Sequence, residues 1–356
     1  MATLFGILGL PETDRSFIER IGQSIIYDAC QRVFEEFNQD LALATSAFVA
    51  GQTPDFKFRY KLPGTGRMQR RGGRAQSGTV RAGGEWDVAL PLEDFGNALG
   101  GDDVAMAYMT LPELERHLQT IQNQATGTYR YEMLRALYNN TARTFVDNIR
   151  AGTLTIVPLA NGDSVSYPPV HGSETEATDN HYLVAGYTAI SDANNPFPAI
   201  REELEEHFGA AQGGSDIIVF INQAQTPEVE NLADFDPVND RYIVPGANTD
   251  IPTKLPLAPG RILGRINGVW VAEWRWVPAG YLHGMHLGEE APLMERVDPA
   301  ETGLGTGLQL ISSSQDAPLS YAQYRFRFGL GVTNRLNGVV MQLKASGTYD
   351  VPAIYQ

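Results

Sequence analysis

The chain has 356 residues and carries 27 Lys and Arg against 42 Asp and Glu, which gives a formal net charge of −15. With 43% hydrophobic residues, its composition is that of a globular protein and excludes collagen-like and disordered chains. The longest apolar stretch, 41–50, has ten residues and is far short of the roughly 20 that a membrane helix needs. A single cysteine, Cys30, excludes an intrachain disulfide and a cysteine-based zinc site. No secretory signal pattern is readable, and the acidity opposes a chain that coats nucleic acid over its whole surface.

The charge is distributed unevenly along the chain. Segment 56–84 contains eight basic and no acidic residues, so it carries +8 while the other 327 residues carry −23. Seven glycines accompany the positive charge in this segment. Three interpretations compete: the segment binds nucleic acid, it is a solvated loop, or it docks on the negative body of another copy of the chain.

The first elements in chain order are a helix and a long two-stranded ribbon. Apolar residues at helical spacing predict a helix over 14–38. Segment 56–62 then alternates apolar and basic residues, which predicts a strand with two different faces, and 86–90 alternates again. The two strands predict a ribbon with a basic tip, whose apolar face cannot be buried by a hairpin alone. The predicted apolar stripe of the helix is Phe17, Ile18, Ile21, Ile25, Ala29 and Val33.

A long helix is predicted next, over 110–151. Thr110 and Glu113 match a capping box, with proline in the first turn. At 1.5 Å per residue, about 40 residues would extend about 60 Å, a length typical of a structural strut. Gly127, between two threonines, is the predicted position of a bend or break in this helix.

The remaining elements mix short strands and helices, which gives an α+β class. The all-apolar segment 217–221 predicts a central, buried strand, and Asn267-Gly268 predicts a tight hairpin turn. The other predicted elements are strands 153–157, 262–266, 269–276, 324–332 and 339–343, helices 198–208 and 227–235, and a loop over 161–179.

One group of residues has the composition of a metal site. His283 and His286, with Glu289 and Glu290 close in sequence, could hold zinc. Their i, i+3 spacing beside two glycines does not place both histidines on one helix face, so a polar loop is the favoured interpretation.

Four other features resemble functional motifs but favour structural interpretations. The glycine-rich segment 303–307 lacks the spacing of a dinucleotide-binding loop and favours a flexible connection. His171 and His181 are expected to be solvated, and the acidic segment 202–206 to be a solvated helix face. Cys30 lies on an apolar stripe and is expected in the core.

The order of these elements resembles that of the major capsid proteins of tailed bacteriophages, which have the Hong Kong 97-type fold. Four features carry the resemblance: an N-terminal arm followed by a basic extended loop, a long spine helix, a central acidic α/β section that contains the buried strand 217–221 and the stretch 271–281, and closing strands 324–332 and 339–343, the first of them Arg-rich. The resemblance implies an N-terminal arm over 1–54, an E-loop over 55–90, a P-domain over 91–181 and 298–356 that contains the spine helix 110–151, and an A-domain over 182–297.

The resemblance also implies a function. The chain would be a non-enzymatic shell subunit, without cofactor or metal, that forms the hexamers and pentamers of an icosahedral head around double-stranded DNA. It would be located in the virion, after assembly in the host cytoplasm, with no membrane association. Its other partners would be a portal and in some systems a decoration protein. The short segment before the E-loop favours a separate scaffolding protein over a fused one.

The inter-subunit contacts implied for this chain lie on the E-loop. No covalent crosslink through Lys57 or Lys61 is expected, because nothing in the sequence identifies an asparagine partner. The expected contact residues are Lys57, Arg59, Lys61, Arg67, Arg70, Arg71, Arg74, Arg81 and Trp86.

Two other functions remain open from the sequence. The first is a nucleic-acid-binding protein that uses the basic arm 56–84. The second is a metal hydrolase that uses His283, His286 and Glu289.

Overall fold

The computed structural model describes residues 17–61, 85–98, 108–170, 173, 175–207, 216–238, 259–315 and 318–356. The helices in these ranges are α1 (Ile18–Ile21), α2 (Gln23–Thr45), α3 (Leu111–Tyr138), α4 (Phe197–Glu205) and α5 (Thr226–Glu230). The strands are β1 (Val49–Thr53), β2 (Lys57–Lys61), β3 (Glu85–Ala89), β4 (Glu93–Ala98), β5 (Arg143–Asp147), β6 (Gly152–Ile156), β7 (Tyr182–Val184), β8 (Ile217–Ile221), β9 (Asp236–Pro237), β10 (Arg261–Ile266), β11 (Val269–Glu273), β12 (Tyr281–His286), β13 (Leu293–Arg296), β14 (Gly307–Ser312), β15 (Ala322–Val332) and β16 (Val339–Gln342).

The chain divides into two compact units. Unit 1 comprises Met1–Ala42, Glu93–Arg130 and Asp298–Phe328, and unit 2 comprises Leu43–Leu92, Tyr131–Val297 and Gly329–Gln356. In the described part of the chain, no helix combines the length and the apolar character that crossing a bilayer requires.

Unit 1 is a small sheet with helix α2 along its edge. Strand β15 pairs with β14 on one side and with β4 on the other, both antiparallel. The edge strand β14 leaves backbone groups unpaired, and side chains of α2 bind them. The hydroxyl of Tyr27 donates to the carbonyl of Leu310 (2.8 Å), and the Asn38 amide exchanges two hydrogen bonds with the backbone of Leu308.

Helix α2 differs from the predicted helix at both ends. Gly22 separates α1 from α2. Its φ of 104° is not helical and lies in a region of positive φ that glycine adopts readily. The helix then continues to Thr45 rather than ending at residue 38. Residues 14–16 of the predicted helix lie outside the described ranges.

Helix α3 begins as predicted and ends early. The backbone N–H and the hydroxyl of Thr110 both donate to the Glu113 carboxylate, at 2.8 and 2.9 Å, so the capping box is present. Gly127 does not break the helix, which is continuous over its 28 residues. The prediction of a helix to residue 151 is wrong, because α3 ends at Tyr138 and β5 and β6 form an antiparallel hairpin beyond it.

Unit 2 is built around a seven-stranded mixed sheet, with strand order β7-β16-β12-β8-β11-β10-β9. Strand β8 is central and every one of its residues is buried, as the apolar segment 217–221 predicted. Strands β10 and β11 form the predicted hairpin, and Asn267 and Gly268 both have positive φ, at 47° and 86°.

Helix α4 packs on one face of this sheet through Phe197, Ile200 and Leu204, which are fully buried. Gly284 on β12 makes this contact possible. A Cβ atom there would lie 2.4 Å from a methyl group of Ile200, so any larger residue would push the helix off the sheet.

A second set of strands in unit 2 contains a buried ion pair. Strand β13 pairs in parallel with β1 and antiparallel with Gly329–Val332 of β15. From β13, the fully buried Arg296 donates to the carboxylate of Asp147 (2.6 Å) and to the backbone carbonyl of Leu90 (3.0 Å). Burial alone would raise the pKa of Asp147, but the Arg296 hydrogen bond and two backbone N–H donors hold that pKa below its usual value.

We expect Asp147→Asn to lower the free energy of unfolding by about 3–5 kcal/mol, because it leaves the Arg296 charge buried without its partner. The ionised carboxylate contributes stability above the unfolded-state pKa of about 4, and this contribution is lost as the pH falls through the lower folded-state pKa. Urea unfolding of wild type and variant at several pH values measures the difference, which should shrink on acidification.

The matched control is Asp350→Asn, because Asp350 pairs with Lys344 at an exposed position. This control should cost less than about 1 kcal/mol. Equal effects of the two variants would contradict the role assigned to Arg296.

Candidate assembly interface

The described part of the ribbon is its stem, formed by β2 and β3. The strands pair antiparallel, with Phe58 opposite Val88 and Tyr60 opposite Trp86. The alternation of the sequence therefore gives one apolar face and one charged face, as predicted. The backbone N–H of Leu90 donates to the carbonyl of Phe56 (3.0 Å). This hydrogen bond closes the base of the ribbon, where it joins the rest of unit 2.

The apolar face of the stem is buried within the chain's own unit 2. Trp86 is only 4% exposed, and its ring lies 5.1 Å from the ring of Tyr60 and 5.3 Å from that of Tyr167, between centroids. Its indole N–H donates to the backbone carbonyl of Thr333 (2.9 Å). The same cluster contains the fully buried Leu336. Trp86, one of the expected inter-subunit contacts, is therefore buried within its own chain.

A polar contact holds the end of the stem. The hydroxyl of Tyr60 donates to the Glu290 carboxylate (2.5 Å). Burial raises the pKa of the Tyr60 hydroxyl, and the hydrogen bond to Glu290 raises it further, so the phenol stays protonated and remains a donor.

The charged face of the stem is nearly neutral. Arg59 donates to Asp87 (2.8 Å), and Lys57 lies 3.5 Å from the same carboxylate. Lys61 and Arg59 both lie within salt-bridge distance of Glu85, at 2.6 and 3.3 Å. The hydrogen bond from Arg59 lowers the pKa of Asp87. Three of the eight positive charges are thus balanced by two acids on the opposite strand, which begins immediately after the basic segment ends.

The other five predicted contact residues lie in segment 62–84, outside the described residues. They are Arg67, Arg70, Arg71, Arg74 and Arg81.

An unpredicted apolar surface lies on α2. The side chains that face the sheet of unit 1 are those of Ile26, Cys30 and Phe34, while Ile25 and Val33 face outward. Ile25 is 63% exposed and Ile26 only 5%, so the predicted stripe is exposed at 21, 25, 29 and 33, and only its member Ile18 is fully buried. We call Ile25, Ala29 and Val33 the outer stripe of α2. Cys30 is in the core as expected, and burial raises the pKa of its thiol to about 11.

The structure does not bring His283 and His286 together. They are three residues apart on β12 and therefore point to opposite faces of the sheet. The His283 ring packs against the rings of Phe48 and Tyr138 at 6.0 and 5.8 Å, and its nitrogens have no hydrogen-bond partner among the described residues. Burial lowers its pKa to about 3, so the ring is neutral. His286 instead accepts a hydrogen bond from the Gly288 N–H at its Nδ1 atom (3.1 Å).

The glycine-rich segment 303–307 is a connection between a short 3₁₀ turn, Ala300–Thr302, and β14. Arg325 donates to the carbonyl of Leu304 (2.6 Å) and to the Gln309 amide oxygen (3.1 Å). These contacts occupy two donors of the guanidinium, which supports the structural interpretation of the segment.

The expectations that His181 and the acidic segment 202–206 are solvated need correction. His171 lies outside the described residues. His181 is fully buried rather than solvated, and the acidic helix face is partly buried, with the pKa of Glu203 raised to about 7 by burial. Asp179 and His207 lie beside them and were missed, because 26 residues separate His181 from His207 and no local motif joins them.

Comparisons with known proteins identify the fold. A chain of the solved structure of Mycobacterium phage Patience is 20% identical, with a TM-score of 0.63 and coverage of 100% of this chain and 98% of that one. The capsid of cyanophage P-SCSP1u is 10% identical, with a TM-score of 0.49 and coverage of 97% and 93%. The capsid of a native GTA particle is 13% identical, with a TM-score of 0.48 and coverage of 85% and 91%. Neither a protein-family model nor a curated protein matches the sequence.

The match to the phage Patience chain extends over the whole length of both chains, so the two share a fold. The expected fold class is confirmed: the chain is an α+β protein with the Hong Kong 97-type fold.

We expect Trp86→Ala to lower the free energy of unfolding by about 3–5 kcal/mol, because it removes the buried ring that joins the ribbon to unit 2. The control is Trp276→Ala, which removes a ring that is 49% exposed and should cost much less. Denaturant unfolding of the unassembled subunit measures both values. A small effect at Trp86 would show that the stem is not anchored in this way.

Proposed function

We propose that this chain is a major capsid protein, the subunit that self-assembles into the icosahedral head shell enclosing the double-stranded DNA of a tailed bacteriophage. The observation that carries the proposal is the full-length likeness to a chain from Mycobacterium phage Patience. The role is structural rather than enzymatic, and the protein acts in the virion, after assembly in the host cytoplasm.

Exposed apolar side chains support a role in self-assembly. The outer stripe of α2 presents Ile25 and Val33 on the same helix face, two turns apart. Val146 on β5 and Ile149 in the turn after it are also exposed. Apolar side chains grouped on one exposed face are typical of protein–protein contacts. We infer that the outer stripe is covered by a second copy of the chain in the shell.

The charge distribution supports the same role. Segment 62–84 carries five arginines and no acid, while the rest of the chain is strongly acidic. Opposite charges on two parts of one chain favour head-to-tail contacts between copies, which close into rings. The excess of acid on the body also reduces adhesion to a packaged polyanion.

The family resemblance extends the proposal to domains and partners. We assign 1–54 to an arm, 55–90 to the E-loop, 91–181 with 298–356 to the P-domain, and 182–297 to the A-domain. The partners are further copies in hexamers and pentamers, a separate scaffolding protein, a portal and in some systems a decoration protein.

The alternative of a nucleic-acid-binding protein is weaker than the sequence indicated. Lys57, Arg59 and Lys61 are engaged by Glu85 and Asp87 on the neighbouring strand. A phosphate backbone would have to compete with these acids for the stem.

Negative-stain microscopy of the purified protein, with and without its scaffolding protein, tests the proposed function. The expected result is closed shells of uniform diameter. Monomers or small oligomers under every salt and scaffold condition would contradict it, and tight, salt-dependent binding of single-stranded nucleic acid by the subunit would favour the alternative.

We expect deletion of residues 64–77 to abolish shell formation while leaving the thermal unfolding of the subunit close to wild type, because the buried stem stays intact. The control replaces the same residues with a Gly/Ser segment of equal length, which keeps the loop and removes its charge. If neither variant forms shells, assembly requires the charge of this segment. If only the deletion variant fails to form shells, assembly requires the length of the loop. Normal assembly of the deletion variant would show that the tip is not an inter-subunit contact.

Ile25→Asp tests the outer stripe of α2. We expect the subunit to fold with nearly unchanged stability, since Ile25 is exposed, and shell yield to fall at least about tenfold. The neighbouring Ile26→Asp buries a charge and should unfold unit 1 instead. Sedimentation separates shells from subunits, and circular dichroism reports folding. Wild-type assembly of Ile25→Asp would exclude the stripe from the contacts.

A further inference from the structure

Five titratable side chains converge in unit 2, outside the surfaces discussed above. Asp179 and His181 lie immediately before β7, Glu203 is on α4, and Glu206 and His207 follow the end of that helix. Both histidines are buried, and the three carboxylates are half-buried. The ligand atoms of Asp179, His181 and His207 all lie within 4.8 Å of one another, and so do those of Asp179, Glu203 and Glu206.

The two imidazole rings are held in the same way. The Nδ1 atom of His181 lies 2.8 Å from the carbonyl oxygen of Gly338, and that of His207 lies 2.7 Å from the carbonyl oxygen of Pro168. The Nε2 atoms of both rings point at a single oxygen, Oδ2 of Asp179, at distances of 2.7 and 3.0 Å. The rings are therefore fixed by the backbone on one side and meet a carboxylate on the other.

The hydrogen-bond partners define the tautomer of each ring. A backbone carbonyl only accepts, so both Nδ1 atoms carry the hydrogen, and in a neutral ring Nε2 is then an acceptor. Two lone pairs and a carboxylate oxygen would face each other without a hydrogen between them. Second protons on the rings, or a cation between the two Nε2 atoms and Oδ2 of Asp179, would satisfy all three atoms. Metal-binding histidines are oriented in this manner, with the other ring nitrogen donating to a carbonyl or carboxylate.

Charge and distance both fit a divalent cation. With neutral rings the carboxylates of Asp179 and Glu206 would bring two negative charges into a partly buried site, and Glu203 would add a third where it is ionised, which is costly without a counter-charge. The Glu206 carboxylate lies 3.4 Å from Nε2 of His207. Ligands at about 2.0–2.1 Å from a tetrahedral metal are about 3.3–3.4 Å apart. The separations of 2.7 and 3.0 Å between Asp179 and the two rings thus need an opening of about 0.3–0.7 Å.

We propose that His181, His207 and Asp179 form a binding site for a divalent metal ion of the zinc type, with the Glu206 carboxylate beside it, 3.4 Å from Nε2 of His207. The donor set of two imidazole nitrogens and carboxylate oxygens suits zinc. The bound ion would join the segment after α4 to the segment before β7. Because it binds only the folded arrangement, it would stabilise unit 2 by mass action. The inference does not depend on the proposed shell function.

In the competing arrangement, the Nε2 atoms of His181 and His207 each carry a proton in place of the metal. Burial disfavours charged rings, but the Asp179 carboxylate raises the pKa of His207 to about 9 and also raises that of His181. A metal must displace these protons, so its affinity should rise with pH.

Cobalt and zinc titrations of the full-length protein, first stripped with a chelator, test the site. We expect one cobalt ion per chain, with the visible absorption of tetrahedral cobalt, displaced by zinc, and a melting temperature that zinc raises and chelator lowers again. Asp179→Asn and His207→Gln should each weaken zinc binding by about 100-fold or more. Circular dichroism confirms that each variant is folded.

The control is His286→Gln, which removes a buried histidine of unit 2 that is not part of the cluster. It should bind zinc like the wild type. Absence of stoichiometric binding by the wild type would overturn the proposal in favour of the doubly protonated pair, as would wild-type affinity in folded Asp179→Asn. These results do not depend on whether shells form, so they are distinguishable from failure of the proposed function.

Discussion

The fully buried guanidinium of Arg296 is the interaction on which the architecture of unit 2 depends. It joins the carbonyl of Leu90, at the end of the ribbon, to Asp147 in the β5–β6 hairpin, and its carbon lies 5.8 Å from the centre of the Phe56 ring at the start of the ribbon. Both strands of the ribbon are thus fixed, at its base, to one side chain of β13. A charge in this position is costly unless all its partners are present, so the ribbon, the hairpin and β13 must be placed together.

The ribbon shows what local sequence could and could not predict. Alternation of apolar and basic residues predicted both strands of the stem and their two faces, because side-chain direction in a strand follows directly from position. It did not predict where the apolar face would pack. Tyr167 and Leu336, which cover Trp86, are distant in sequence and carry no local signal. The charge of the stem was overestimated for a similar reason, since Glu85 and Asp87 are brought opposite the basic residues only by strand pairing.

The helices show a related limit. Helix α2 has two adjacent apolar stripes, at 25, 29 and 33 and at 26, 30 and 34, and periodicity alone cannot tell which one faces the sheet. The capping box of α3 predicted its start correctly because caps are local. The predicted helix extended too far, to residue 151, because Phe145, Val146 and Ile149 fit a helical stripe as well as a strand. The cluster around Asp179 could not be predicted from sequence, since two separate segments, 179–181 and 203–207, contribute to it.

The parallel pairing of β1 with β13 has a consequence for how the chain folds. Gln52 and Glu295, which are hydrogen-bonded across this pair at 3.3 Å, are 243 residues apart. Contacts of such long range form late, because the loop that they close must be ordered first. During synthesis, β1 and the ribbon emerge long before their partner strand, while other copies on the same message are in the same state. The order of synthesis therefore gives β1 a period in which strand exchange between chains competes with closure on its own β13.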